Sequence, residues 1–111
     1  MVSEMDKKLY ARTLYVSDLD GTLLRSNERT SQYTNETINR LSQQGMLFSY
    51  ATARSFVTSK KVTQGIHANI PLIVYNGAFV MNNTTEEIMI SNFFDTSVNT
   101  VFSELFKHNI Y

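Results

Sequence analysis

The chain has 111 residues, enough for one small domain, and its 42% hydrophobic and 18% charged residues are typical of a globular protein. Ten basic and ten acidic residues give a formal net charge of zero, and no block of like charges indicates a nucleic acid or membrane partner. The sequence contains no cysteine, which excludes a disulfide framework, a thiolate metal site and a cysteine nucleophile.

The first residues lack the features of a targeting segment. Glu4 and Asp6 lie among lysines, and no apolar stretch of the kind found in a signal peptide follows them. No apolar run approaches the ~20 residues that a membrane span requires. We therefore expect a cytoplasmic protein.

The pattern of apolar and polar residues predicts a strand, helix, strand, helix, strand order in the first two thirds of the chain. The predicted strands cover residues 12–17, 46–51 and 72–75. One predicted helix begins near Thr34, and a second covers residues 55–64. Helices between strands imply parallel pairing through right-handed crossovers. The continuous apolar strands indicate a sheet that is covered on both faces.

The pattern changes after the third strand. Residues 78–81 and 88–90 predict two strands around a turn, and a helix follows. Its apolar stripe, which we expect to pack in a core, comprises Val98, Val101, Phe102, Leu105 and Phe106. The sequence thus predicts a core domain over residues 1–81 and the beginning of a second, incomplete domain over 82–111.

Polar residues stand where each of the three predicted parallel strands ends. These residues are Asp18, Thr52 and Asn76. Ligands of open parallel sheets bind outside the carboxyl ends of the strands, so the three positions are expected to converge on one site. Threonine and asparagine are also common in turns, and a purely structural role for the trio stays open.

Two carboxylates flank Leu19 directly after the first strand. One of Asp18 and Asp20 can attack phosphorus, and the other can protonate the leaving group and then deprotonate a water. Two negative reactants need a cation, and Mg²⁺ suits oxygen ligands. Gly21 permits a tight turn, and Thr22 with nearby backbone N–H groups could hold phosphate oxygens. The alternative is a solvated turn without chemistry.

Three segments resemble motifs of one known family. Asp18-Leu19-Asp20-Gly21-Thr22-Leu23-Leu24 resembles the first motif of the haloacid dehalogenase-like superfamily, and Ala51-Thr52-Ala53-Arg54-Ser55 resembles the second. Asn76-Gly77-Ala78 resembles a segment typical of the Cof-type, sugar-phosphate phosphatase-like branch. The resemblance implies an α/β fold: half of a doubly wound, parallel, Rossmann-like core, followed by the start of an α/β cap.

The resemblance also implies roles for individual residues. Asp18 would be the nucleophile and a direct Mg²⁺ ligand. Asp20 would be the general acid/base, would give the metal its backbone carbonyl, and would be held in place by Thr22. Thr52 would hydrogen-bond the phosphoryl group. The expected substrate is a small phosphorylated metabolite, and the residues expected to border or approach its pocket are Arg54, Asn76 and Gly77.

The sequence departs from the family pattern in two ways. Ala53 stands where Cof-type proteins usually have glycine, which we expect to be tolerated if the position is not left-handed. The lysine of the third motif and the acidic pair of the fourth have no match. The residues considered for them are Lys60, Lys61, Lys107 and Asp95.

These missing groups leave alternatives open for the chain itself. We expect the 111-residue chain alone to be inactive or severely impaired as a phosphatase. It could instead be a catalytically inactive fragment or an association module that needs a second copy or the missing C-terminal half. A receiver-like phospho-acceptor domain is a further possibility, which the second aspartate argues against because it implies turnover.

Overall fold

A computed structural model of the protein describes residues 12–67 and 70–110. Its elements are β1 (Leu14–Ser17), α1 (Gln32–Gln43), β2 (Leu47–Tyr50), α2 (Phe56–Val62), β3 (Leu72–Val74), β4 (Phe79–Met81), β5 (Ile88–Ser91) and α3 (Val98–Lys107). The predicted absence of a signal peptide concerns residues outside this part. The ends of the two predicted domains, at residues 1–11 and 111, also lie outside it.

The first half of the chain forms the predicted parallel α/β arrangement. β1 pairs in parallel with β2, from Leu14 opposite Leu47 to Ser17 opposite Tyr50. A parallel bridge between Ala51 and Ile73 joins β2 to β3. Each parallel connection contains a helix, as crossover connections require. The predicted fold class is therefore confirmed, and the three strands end on the same side.

Serine side chains begin the two crossover helices. The Oγ of Ser31 accepts a hydrogen bond from the N–H of Thr34 at 3.1 Å, so α1 begins at Gln32 and the predicted start near Thr34 is wrong. Ser55 caps α2 in the same way, through the N–H of Thr58 at 3.1 Å. Both caps satisfy backbone donors that a helix start leaves without intrahelical partners.

The core lies around β2 and β3 and includes the turn that follows β1. Leu19, Leu72 and Val74 are 0% exposed and belong to one buried cluster with Tyr50. The Tyr50 hydroxyl lies 3.2 Å from the Oγ of Ser59, which gives its buried polar end a partner. Because Leu19 belongs to this core, its packing fixes the turn that carries the two aspartates.

Two apolar surfaces that the sequence predicts to be covered are exposed. On β1, Leu14 is 52% and Val16 45% exposed, and the neighbouring Tyr15 on the opposite face is 40% exposed. Four of the five residues in the predicted core stripe of α3 are also exposed, from Leu105 at 36% to Phe106 at 59%, and Val98 is half-buried. Periodicity shows that a face is apolar, but burial needs a packing partner, and the described residues do not cover these faces.

The hairpin after β3 continues the sheet rather than forming a different layer. β4 pairs antiparallel with β3, from Leu72 opposite Met81 to Val74 opposite Phe79, and β5 pairs antiparallel with β4. The hairpin is thus hydrogen-bonded to the core. The boundary between residues 81 and 82 falls in the turn between β4 and β5 and stays a prediction. In the described ranges, no helix combines the length and apolarity needed to cross a membrane.

Removal of the Leu19 side chain should destabilise the fold strongly. Leu19→Ala leaves a cavity in a fully buried position, and such changes cost about 2–5 kcal/mol of unfolding free energy. The measurement is the urea midpoint followed by circular dichroism. Val57→Ala, at a side chain that is 75% exposed, is the control and should shift the midpoint little. Equal midpoints for the two variants would contradict the anchoring of the turn.

Candidate active site

The carboxyl ends of β1, β2 and β3 surround one open depression of about 540 Å³. Among the residues that line it are Asp18, Asp20, Thr52, Asn76 and Gly77. The structure therefore brings together the three strand-end positions that the sequence singled out, with the second aspartate and Gly77. Their catalytic roles stay predictions.

The turn after β1 holds two aspartates on either side of a buried leucine. Asp18 keeps extended backbone angles, and its Oδ1 accepts a hydrogen bond from the N–H of Leu19 at 2.7 Å. Gly21 has φ +75°, a left-handed angle that glycine adopts without the steric cost of a side chain. The N–H of Leu24 closes the turn on the carbonyl of Leu19 at 3.0 Å. Burial of Leu19 thus leaves both carboxylates exposed beside the depression.

Arg54 binds the carboxylate of Asp20 with two hydrogen bonds. Its Nε donates to Oδ2 at 2.8 Å and its Nη2 donates to Oδ1 at 2.7 Å. These bonds lower the pKa of Asp20 below its ordinary value, because they favour the ionised carboxylate. In the described part of the chain, Arg54 rather than Thr22 makes this contact, and the depression is lined by neither of them. The sequence indicated Arg54 near the pocket but missed its partner.

The backbone of residues 52–54 connects the loops after β2 and β3. The Oγ1 of Thr52 accepts the N–H of Arg54 at 3.1 Å, and the hydroxyl hydrogen of Thr52 remains available for donation to a ligand. The carbonyl of Arg54 accepts the N–H of Tyr75 at 2.9 Å, and the carbonyl of Thr52 accepts the N–H of Asn76 at 2.9 Å. The loops after β2 and β3 are therefore held together by main-chain hydrogen bonds.

The loop after β3 has an unusual backbone. Tyr75, Asn76 and Gly77 have φ values of +51°, +57° and +92°. A left-handed residue other than glycine costs about 1–3 kcal/mol, and such residues are frequent at functional sites. Sequence reasoning missed Tyr75, since its apolar character placed it in the strand. The Asn-Gly pair was the only signal of this turn.

The departures from the family pattern have clear positions in the structure. Ala53 is outside the left-handed region, because the non-glycine residues with positive φ in the described chain are Glu28, Tyr75, Asn76, Glu86 and Asn109. The expectation that its methyl group is tolerated is confirmed for the backbone angle. Lys60 and Lys61 lie on α2, Lys107 lies on α3, and Asp95 hydrogen-bonds the N–H of Ser97 at 2.9 Å. None of these four lines the depression described here.

A parallel α/β core with an Asp-x-Asp turn at its first strand end defines the class of protein. The family model of the haloacid dehalogenase-like hydrolases matches residues 15–111 of the sequence. The chain belongs to this family, in its Cof-type branch. The resemblance inferred from the motifs is therefore confirmed.

Individual relatives agree with this assignment. The chain is 37% identical over 76 residues to the Bacillus subtilis 5-amino-6-(5-phospho-D-ribitylamino)uracil phosphatase YitU, covering 68% of this chain and 27% of that protein. It is 29% identical, with a TM-score of 0.69, to a haloacid dehalogenase-like hydrolase from Bacteroides thetaiotaomicron, covering 87% of this chain and 38% of the other.

A second solved structure extends the fold comparison. A phosphatase of the same superfamily from Bacteroides thetaiotaomicron has a TM-score of 0.73 at 18% identity, covering 98% of this chain and 39% of the other. This likeness concerns the fold alone. The chain spans between about a quarter and two fifths of the length of these three relatives.

The ion pair between Asp20 and Arg54 should contribute stability that depends on pH. The lowered pKa of Asp20 means that the contribution is complete above the ordinary aspartate value of about 4 and is lost as pH falls through the folded-state pKa below it. In a double-mutant cycle with Asp20→Asn and Arg54→Gln, the coupling measured by thermal melting should be larger at neutral pH than in this acidic window. A coupling that does not change with pH would contradict the ion pair.

Proposed function

We propose that the protein to which this chain belongs hydrolyses phosphate monoesters through an aspartyl-phosphate on Asp18, with Mg²⁺ as cofactor. The observation that carries the proposal is the convergence of Asp18, Asp20 and Thr52 at one open depression beside the left-handed Asn76-Gly77 turn. Family membership supports hydrolase chemistry. The acid pair then accounts for both halves of the reaction.

In the first half, an oxygen of Asp18 attacks phosphorus, and the bond between phosphorus and the leaving oxygen breaks. The Arg54 contact favours ionised Asp20 in the free site, whereas a bound anionic phosphate ester beside Asp20 favours its protonated form. Protonated Asp20 donates its proton to the leaving oxygen, so the alcohol leaves neutral and Asp20 becomes ionised. In the second half, a water attacks the phosphorus of the aspartyl-phosphate, Asp20 takes a proton from this water, and the bond to Asp18 breaks. Inorganic phosphate leaves, and both aspartates return to their starting states.

The donors at the turn fit a Mg²⁺ ion that keeps most of its water ligands. Among the described residues, no group of three or more His, Cys, Asp and Glu could hold a metal. One carboxylate oxygen of Asp18 accepts a hydrogen bond from Leu19, and the carboxylate of Asp20 accepts hydrogen bonds from Arg54. The proposed ligands are therefore the other carboxylate oxygen of Asp18 and the backbone carbonyl of Asp20. Mg²⁺ is commonly bound by so few protein groups together with phosphate. When bound, it would offset the negative charge of the nucleophile and the phosphate.

A small phosphorylated metabolite is the proposed substrate class. The Bacillus subtilis relative is named for a phosphatase activity on a phosphorylated ribitylaminouracil, which is a phosphate ester of a small molecule. Thr52 is proposed to donate its hydroxyl hydrogen to the phosphoryl group, and Asn76 and Gly77 to border the substrate. Thr22 is proposed to help bind phosphate through the turn of the first motif. The cytoplasmic location remains part of the same proposal.

The 111-residue chain should be a poor catalyst by itself. It contains no match to the lysine and the acidic pair expected from the family, and one lost electrostatic donor can cost about 3–4 kcal/mol of transition-state stabilisation. A substrate with a very good leaving group needs less of this transition-state stabilisation. Dinitrophenyl phosphate with Mg²⁺ is therefore the most sensitive probe for the chain.

Asp18→Asn should reduce the hydrolysis of dinitrophenyl phosphate by the chain to the rate without protein, because the amide cannot form the acyl phosphate. Release of dinitrophenolate is measured by absorbance, with and without a chelator of Mg²⁺. Asp95→Asn, which changes an aspartate outside the depression, is the control and should retain the rate. Equal rates for the chain and for Asp18→Asn would contradict the proposed function of this chain.

A second candidate function, association with another chain, is favoured by the exposed apolar surfaces. Leu14 and Val16 on β1 and the stripe on α3 expose side chains of the size that usually lie in cores or interfaces. Either a second copy of the chain or the remaining part of a longer protein would cover them. This candidate does not exclude the first, since a completed core could be catalytic.

Association of the chain with itself should depend on β1. Sedimentation velocity at increasing concentration should show species larger than the monomer, because burial of exposed apolar area stabilises association. Val16→Lys should shift the equilibrium towards the monomer, and Ser26→Lys in the exposed loop before α1 serves as the control. A chain that stays monomeric and folded over the whole concentration range would contradict association between copies.

A further inference from the structure

We propose that Arg54 is a positioning residue for Asp20, and not a ligand of the substrate phosphate. The inference rests on the proposed function, in which Asp20 transfers protons to and from the reacting oxygens. It assigns the arginine of the second motif to the orientation of that carboxylate.

The first support is the geometry of the contact. Nε and Nη2 of Arg54 donate to different oxygens of Asp20, at 2.8 and 2.7 Å. Two parallel hydrogen bonds from one planar guanidinium restrict both the position and the plane of the carboxylate. A lysine at this position would supply a charge but could not supply the fork. The side chain of Asp20 is 55% exposed, so the surrounding packing would not orient it without Arg54.

The second support is that Arg54 is itself fixed at its backbone. Its N–H donates to the Oγ1 of Thr52, and its carbonyl accepts the N–H of Tyr75. Ser55, the next residue, caps α2. The backbone from which the guanidinium extends is therefore fixed by the end of β2, the loop after β3 and the start of α2. The side chain of Arg54 is only 24% exposed. Such an anchor suits a residue that holds another group in place.

The third support is the direction in which Arg54 lies. The depression at the strand ends is lined by Asp20 but not by Arg54, which lines a neighbouring recess with Asn27 and Glu28. Arg54 therefore contacts Asp20 without lining the depression in which the substrate is proposed to bind. Each carboxylate oxygen keeps a further lone pair when it accepts one hydrogen bond. Asp20 can therefore exchange a proton with a substrate oxygen while Arg54 holds it.

The first test is the nuclear magnetic resonance signal of the Arg54 Nε–H in the ¹⁵N-labelled chain, assigned by its loss in Arg54→Lys. We expect a slowly exchanging signal that shifts to the position of solvent-exposed arginines in Asp20→Asn and stays in place in Thr22→Val. It should also persist when inorganic phosphate and Mg²⁺ are added in excess. A signal insensitive to Asp20→Asn, or one that phosphate displaces in the unmodified chain, would overturn the proposal.

The second test uses the leaving group. Loss of a well-placed general acid costs about 10²–10⁴-fold for an ordinary leaving group and much less for one that needs no proton. Arg54→Gln should lower kcat/KM for phenyl phosphate by at least about 10-fold, less than full loss of the acid would, because Asp20 is displaced and not removed. For dinitrophenyl phosphate the loss should be less than about 2-fold. Arg54→Lys should not restore the loss. Equal losses for both substrates would assign Arg54 to phosphate binding.

The two tests separate this inference from the proposed function. If the chain has no hydrolysis that depends on Asp18, the proposed function of the chain fails, and the resonance experiment still decides whether Arg54 holds Asp20 against phosphate. If hydrolysis depends on Asp18 and both substrates lose activity equally in Arg54→Gln, the function stands and the positioning role fails.

Discussion

The candidate site depends on hydrogen bonds that residues 52–54 make to the neighbouring strand ends. A parallel sheet brings its strand ends to one edge, but it does not by itself fix the loops that follow them. Here the carbonyls of Thr52 and Arg54 accept the N–H groups of Asn76 and Tyr75, and the Arg54 side chain holds Asp20. One short segment thus sets the relative positions of three loops, and the proposed chemistry relies on that arrangement.

Hydrogen bonds and ring packing stabilise the left-handed backbone after β3. Tyr75 and Asn76 adopt angles that cost energy in an isolated peptide, and the two main-chain hydrogen bonds offset part of that cost. The edge-on contact of the Tyr75 ring with Phe79, with centroids 5.2 Å apart, adds packing on the side of β4. The strained turn is therefore supported by both the parallel core and the hairpin that extends it.

The exposed surfaces relate to the short length of the chain. β1 is parallel to β2 and has exposed side chains on both faces, whereas β2 and β3 lie in the core. The chain spans 27% of the length of its Bacillus subtilis relative, so that protein contains much more polypeptide than these residues. Exposed apolar surface of this kind is unusual in a complete globular domain and is a surface on which further polypeptide can pack. This is consistent with both the weak catalysis and the association that we propose for the chain.

The sequence by itself determined the parallel α/β core, the family and the strand-end positions of Asp18, Thr52 and Asn76. These follow from local signals: apolar runs, capping and turn residues, and a specific Asp-Leu-Asp-Gly-Thr motif. Only the tertiary structure decided that Arg54 pairs with Asp20 across 34 positions of the chain, that Tyr75 leaves the strand, and that the stripe on α3 is exposed. The reason is physical: composition and periodicity describe what one segment can bury or bind, whereas the partner of a side chain depends on which distant segment the fold brings beside it.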